Sequence, residues 1–372
     1  MATAGAAGGG VIYLDYQATT PLAPEARDAM LRWLDGPDGV GFGNPHSPHR
    51  YGRQAAAAVE LARDRVAALF PPGGTVIFTS CATEAINLAI RGCKPVRAGR
   101  GIAASAIEHA AVWDTAEALP NAFHPIAVDR EGLVDPAAEL PADVGLVAVM
   151  QVNNEIGTIQ PVAEIARTAK AAGALLLCDA VQAAGRIPIA MADMIAISAH
   201  KLHGPKGIGA LWVRDGLTLE PLITGGGQEG GLRSGTLSPA LCAGFGAAAK
   251  LAAERMEPDA AHIEALWTRA RDLFDGWTLN GSETARWHGN LNLRQEGLDV
   301  ARLLSDVRDV AISAGSACAS GSGKPSRVLQ AIGLSDKMAK NSIRIGFGRY
   351  TGMDDLELAA AAINAAARTQ GL

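Results

Sequence analysis

From residue 75 to residue 213 the chain alternates between short, largely apolar runs and longer stretches whose apolar residues recur at helical spacing. The runs are Thr75–Thr79, Gly101–Glu108, Gly145–Met150, Ala174–Cys178, Asp193–Ile197 and Gly207–Val213. They lack polar alternation, which predicts strands covered on both faces, as in a parallel sheet. Helices are predicted from Ser80 through Ile90 and over Ala110–Leu119, between runs. Upstream, Val11–Asp15 reads as a strand, Pro24 to Asp35 as a helix, and Arg53–Phe70 as an amphipathic helix with Val59, Ala62, Val66 and Leu69 on its core face. Repeated strand–helix units predict an α/β fold, a mostly parallel central sheet with flanking helices. A long helical region from Pro239 into the 270s carries the domain junction. Beyond it the pattern changes to strands around Asn290–Leu293, Val310–Ser313 and Ser342–Phe347, with helices at Leu298–Val307, Ser326–Ile332 and the alanine-rich end.

In such sheets ligands gather beyond the carboxyl ends of the strands, so each strand exit is a place for chemistry. The run ending at Thr79 opens into Ser80-Cys81-Ala82-Thr83-Glu84, where small residues at a helix start suit either an anion cradle using Thr83 or a plain cap. His109 follows Glu108; it would stack on a flat ring, move protons, or simply begin a helix. Asn153-Asn154 offers donors for a carboxylate or phenolate, and also suits a turn. Asp179 closes a buried run, with Gln182 one turn on. Such a carboxylate needs a partner: a protonated pyridine nitrogen, an arginine, or backbone donors. Ser198-Ala199-His200-Lys201 follows the next run. Lys201 is either a loop lysine or an amine made nucleophilic by partial burial, as for a Schiff base.

A carboxylate for a pyridinium, a lysine for an aldehyde and a helix start for a phosphate are together the needs of pyridoxal phosphate. The competing nucleotide-binding reading lacks a GxGxxG or GxxxxGK[ST] after any strand. Farther on, the glycine-dense Gly225–Thr236 suits close approach to a ligand or a neighbouring subunit. Cys318 sits in a Gly/Ser loop without core periodicity, as a thiolate carried into a site or as an incidental surface thiol, with Lys324 nearby to lower its pKa. Arg344, between apolar neighbours, is a carboxylate clamp or an interdomain ion pair. His46 and His49 share a proline-broken loop with no carboxylate or cysteine, which fits a lining segment better than a metal site.

At 372 residues the chain is long enough for two domains. Its net charge of −5 argues against a dedicated nucleic-acid or anionic-membrane surface, and no apolar run approaches a membrane span. Five cysteines without a CxxC pair favour a reducing cytoplasm over a disulfide framework, and the Ala/Gly-rich residues 1–10 resemble neither signal nor transit peptide.

The ordered motifs Tyr13-Leu-Asp-Tyr-Gln-Ala-Thr-Thr-Pro21, Gly43-Asn-Pro, Thr79–Glu84, Glu108-His109, Val152–Gly157, Asp179–Gln182, Ser198–Lys201, Arg233–Thr236, Gly315–Cys318 and Ser342–Arg349 span nearly the whole chain. In them it closely resembles the cysteine desulfurases, fold type I pyridoxal-phosphate enzymes of the class V aminotransferase family that supply sulfur for iron–sulfur clusters, nitrogenase and thiolated RNA. The resemblance implies a homodimer with a large cofactor domain, 16–250, and a smaller α+β domain, 1–15 with 251–372, carrying the Cys318 loop. It implies that Lys201 holds the cofactor, Asp179 pairs with the ring nitrogen, His109 stacks on the ring and Gln182 bonds its phenolic oxygen. Ala82, Thr83, Ser198 and His200 would hold the phosphate, with Thr236 supplied by the partner subunit. Asn154 and Arg344 would fix the carboxylate of L-cysteine. Lys201, with His109, would move the Cα proton, and Cys318 would take the sulfur as a persulfide and pass it to an acceptor or iron–sulfur scaffold protein.

Three departures stand out. Cys81 replaces the usual glycine of the phosphate loop, Ala199 replaces another small residue, and the sequence stops soon after the terminal helix. By loop length the chain resembles the longer-loop branch of the family. Selenocysteine lyases, cysteine-sulfoxide lyases and aminotransferases share the fold, and a non-catalytic scaffold component is the alternative of another kind.

Overall fold

The computed structural model describes residues 10–315 and 326–372. The path begins with β1 (Ile12–Tyr13), α1 (Pro24–Leu31) and α2 (Arg50–Ala67). The helix expected to start at Arg53 begins one turn earlier, because the His49 ring accepts from the Gly52 N–H and caps it. Next come β2 (Gly74–Thr79), α3 (Ala82–Gly92), α4 (Lys94–Arg97), β3 (Gly101–Ser105), α5 (Ala110–Glu117) and β4 (Phe123–Ile126). Then follow β5 (Val144–Met150), α6 (Val162–Ala171), β6 (Leu175–Asp179), β7 (Met194–Ser198), β8 (Gly209–Arg214) and the long α7 (Pro239–Leu273).

Strands β2 to β8 form one sheet in the order β2-β8-β7-β6-β5-β3-β4. Only β8 runs antiparallel to its neighbours; the rest pair in parallel. Met150 pairs with Asp179 and Asp179 with Ala196, so the exits of β5, β6 and β7 end nearly level. The side chains of these strands are buried on both faces, as their unbroken apolar runs predict. Helices α2 and the first half of α7 cover one face, and α3 with α5 covers the other.

Helix α7 serves two cores. Its residues up to Ala252 pack with the large sheet, whereas Ile263, Leu266, Trp267 and Ala270 pack with Leu14 and the carboxyl-terminal elements. Those elements include β9 (Thr278–Leu279), β10 (Asn290–Arg294), α8 (Val300–Asp306), β11 (Val310–Ala311), β12 (Ser313–Ala314), α9 (Arg327–Ala331), α10 (Asp336–Lys340), β13 (Ser342–Gly346) and α11 (Met353–Arg368). A four-stranded antiparallel sheet runs β12-β13-β10-β9. The single strand expected at Val310–Ser313 is two: β11 pairs with β1, and β12 with β13. No helix among the described residues is long and apolar enough to cross a membrane.

One glycine in the large sheet is demanded by close approach. A Cβ on Gly209, in β8, would lie 2.6 Å from the Cys81 carbonyl carbon and 2.8 Å from the Ala82 nitrogen. The strand therefore lies hard against the start of α3. Gly209→Ala is expected to displace that start and to cost about 1–3 kcal/mol of stability, measured by denaturant unfolding.

Candidate active site

The start of α3 and the exits of β3, β5, β6 and β7 surround one cavity of about 330 Å³. Ala82, Thr83, His109, Asn154, Asp179, Gln182, Ser198, His200, Lys201 and Arg344 all line it. Thr236 is exposed and is not part of this lining. Cys318 lies outside the described residues.

Asp179 is the last residue of β6 and is buried; Oδ1 accepts from the Val181 N–H at 2.9 Å. Burial pushes its carboxyl up, opposed by His109, the Val181 N–H and Lys201. A cationic group in the cavity would relieve this cost, which is what a protonated ring nitrogen provides.

His109 caps α5: Nδ1 accepts from the Ala111 N–H at 3.0 Å, so the neutral ring carries its proton on Nε2. Lys201 lies in a short 3-10 turn directly after β7. Its Nζ donates to the main-chain carbonyls of Gln17 and, at 2.8 Å, Ala18. The amine is thus held by the segment joining β1 to α1. That segment is fixed to the β7 exit by Thr20, whose N–H and hydroxyl both donate to the His200 carbonyl and whose Oγ1 accepts from the His203 N–H. His200 contacts Thr19 Oγ1 through Nδ1 at 3.1 Å. Burial, with Lys201 and Lys206 adding to it, pulls this ring down to about 4, so it offers a hydrogen bond without charge at neutral pH.

The cavity also carries the marks of an anion cradle. Ala82 and Thr83 begin an eleven-residue helix, whose first N–H groups have no intrahelical acceptor. Ser198 Oγ, buried at the same cavity, has no hydrogen-bond partner among the described residues. Cys81 stands immediately before the helix in extended backbone, at φ −172° and ψ 173°, which any residue adopts. A cation-seeking carboxylate, an amine and an unsatisfied hydroxyl beside a helix start fit the coenzyme expected from the sequence.

Arg344 is fully buried; Nη2 pairs with Asp15 Oδ1 at 2.7 Å, and Nη1 donates to the Asn154 carbonyl at 3.1 Å. The ion-pair reading describes that contact, and the clamp reading is compatible with its place in the cavity wall. Asp15 also accepts from Ser313 Oγ at 2.9 Å, which ties β12 to the same point. Gln17, Ala18, Ile86, Met150 and Val181 line the cavity as well, although no sequence reading gave them a role. Gln17 and Ala18 follow no strand of the large sheet, and so escape a search of strand exits.

Glu108 is a second surprise. The strand predicted through it stops at Ser105, because Glu108 Oε1 accepts from Ser105 Oγ at 2.5 Å and from the Met150 N–H at 2.7 Å. Burial, together with nearby Asp179, raises this carboxyl from 4.5 to about 8 despite those donors. The fold therefore prefers it protonated, whereas the unfolded chain releases the proton above about pH 4.5. Its contribution to stability is complete below that point and is lost as the pH rises to about 8. In Glu108→Gln the decline of melting temperature between pH 5 and pH 8 is expected to flatten; an unchanged slope would refute the assignment.

The family model for class-V aminotransferases matches residues 12–358. The chain is 41% identical over 366 residues to the cysteine desulfurase IscS of Shewanella denitrificans, covering 93% of this chain and 90% of that one. It is 42% identical over 367 residues to the mitochondrial cysteine desulfurase of Arthroderma benhamiae, covering 93% and 72%. A solved structure described as SspA in complex with cysteine superposes with a TM-score of 0.79 at 32% identity, covering 91% of this chain and 99% of that one.

Proposed function

The chain belongs to the cysteine desulfurases of the class-V aminotransferase family, whose members use pyridoxal phosphate, and from that premise we propose that it takes the sulfur of L-cysteine for iron–sulfur cluster assembly or thiolation. The observation that carries this reading is the convergence of the Lys201 amine, the Asp179 carboxyl and the start of α3 on one cavity.

When bound, pyridoxal phosphate supplies an electron sink for the pair left at the substrate's Cα. Lys201 would bind its aldehyde, and Asp179 would hold its ring nitrogen protonated. His109 would pack on the ring, and Gln182 would donate to the phenolic oxygen. The N–H groups of Ala82 and Thr83, with Ser198 and neutral His200, would hold the phosphate, and in a homodimer Thr236 would reach the phosphate of the other subunit. Asn154 and Arg344 would hold the substrate carboxylate. Lys201 Nζ takes the Cα proton, with His109 Nε2 as the second proton carrier. The Cys318 thiolate then attacks the substrate sulfur. Its Sγ–S bond forms as the substrate Cβ–S bond breaks, the electron pair goes to Cβ, and protonation at Cβ with return of the proton from Lys201 Nζ to Cα yields L-alanine. The persulfide on Cys318 passes to an acceptor protein.

We further take residues 16–250 as the cofactor-binding part and 1–15 with 251–372 as the smaller part. Cysteine usage fits a reducing compartment, and the cytoplasm is the one proposed. Incubation of the pure protein with L-cysteine is expected to yield equal alanine and sulfur, with one extra sulfur atom mapped to the Cys318 peptide. Absence of alanine would end the proposal, and alanine without sulfur on Cys318 would end the role given to that thiol.

A further inference from the structure

Arg186 is half-buried behind the reaction cavity, and no carboxylate among the described residues lies within ion-pairing distance of it. A half-buried cation without a carboxylate partner has lost part of its hydration, and its donors have to be used elsewhere. All of its described hydrogen bonds go to two neighbours. Nη1 donates to the Gln182 carbonyl at 3.0 Å and to Gln182 Oε1; Nη2 donates to the Lys201 carbonyl at 3.1 Å. The face of the Trp287 ring, 6.0 Å from the guanidinium carbon, offers the charge some compensation.

We propose that Arg186 is a positioning residue that fixes the orientation of the Gln182 amide and the seat of the Lys201 backbone at the reaction cavity. A glutamine amide can present either its oxygen or its NH₂ to a given side. At Gln182 both neighbours demand the same choice. Arg186 can only donate, which holds Oε1 toward it, and the Gln17 carbonyl can only accept, which holds Nε2 at 3.0 Å on the other side. A flipped amide would set NH₂ against a guanidinium and oxygen against a carbonyl. The second Nε2 hydrogen is thereby kept as a donor on a side chain that lines the cavity. Burial pulls the guanidinium down to about 10, which leaves it charged at neutral pH and unable to accept.

The inference rests on the function proposed above, in which Gln182 donates to the bound coenzyme. Its test is the visible absorbance of the coenzyme-loaded protein in a cycle of Arg186→Met, Gln182→Ala and the double variant, with melting temperatures as the folding control. Arg186→Met is expected to shift the absorbance maximum, to lower L-cysteine turnover by about 10-fold to 100-fold, and to add only a smaller spectral shift, through the Lys201 backbone, in the Gln182→Ala background. Arg186→Lys is expected to restore part of both, and it replaces the methionine variant in the cycle should that one not fold. An unshifted maximum, or a shift of equal size with and without Gln182, would overturn the proposal. A parent protein with no borohydride-trapped coenzyme on Lys201 would instead overturn the function, so the two failures are separable.

Discussion

Replacing Lys201 with alanine is expected to lower L-cysteine turnover by about 10⁴-fold or more, because in the proposed function one side chain supplies both the covalent hold on the coenzyme and the carrier of the Cα proton. The loss should not be a loss of fold. Lys201 Nζ contributes hydrogen bonds to the carbonyls of Gln17 and Ala18, while Thr20 independently ties that segment to the His200 and His203 backbone. Melting temperature should therefore move by only a few degrees. The variant should still take up coenzyme through Asp179 and the start of α3, and borohydride should no longer trap it. A variant retaining trapped coenzyme at another lysine would show that the anchor has been misassigned.

The second large effect is expected from Cys318→Ala, which should abolish sulfur release and alanine formation by about 10³-fold or more while leaving coenzyme binding intact. Its value lies in discrimination. L-cysteine should still bind and perturb the coenzyme's spectrum, since Asn154 and Arg344 stand in the cavity wall independently of that thiol. A lyase or aminotransferase on the same fold would keep its turnover. Full activity in the variant would accordingly move the protein to one of those activities, whereas retained spectral change without product supports the thiol as sulfur acceptor.

Much of this site is legible along the chain because a parallel sheet brings order to it. Apolar runs that end in Asp179 or lead to Lys201 mark the points where burial stops, and the level ends of β5, β6 and β7 bring those points together. Glu108 shows where that reading overshoots: its carboxyl turns back onto Ser105 and Met150, so an apolar stretch continues after the strand has ended. Strand β4 escaped notice because Phe123-His-Pro-Ile126 contains a proline and has no unbroken apolar run; as an edge strand paired only with β3, it needs neither protection on both sides nor a full set of donors. Gln17, Ala18 and Arg186 were invisible for another reason. Gln17 and Ala18 contribute main-chain carbonyls to Lys201, which any residue could supply, and Arg186 reads as an ordinary turn residue until Gln182 and Lys201 are brought to it.

The stretch from Asp15 to Thr20 is clasped on two sides. Leu14 accepts from the Gly346 N–H, the Tyr16 N–H donates back to the Gly346 carbonyl, and Gln17 Nε2 reaches the Gly289 carbonyl, while Lys201 bears on its other flank. Gly346 is synthesised long after that stretch. Until it emerges, the Asp15–Thr20 stretch is held on the Thr20 side alone, and capture of coenzyme follows the pairing of β13 rather than templating it.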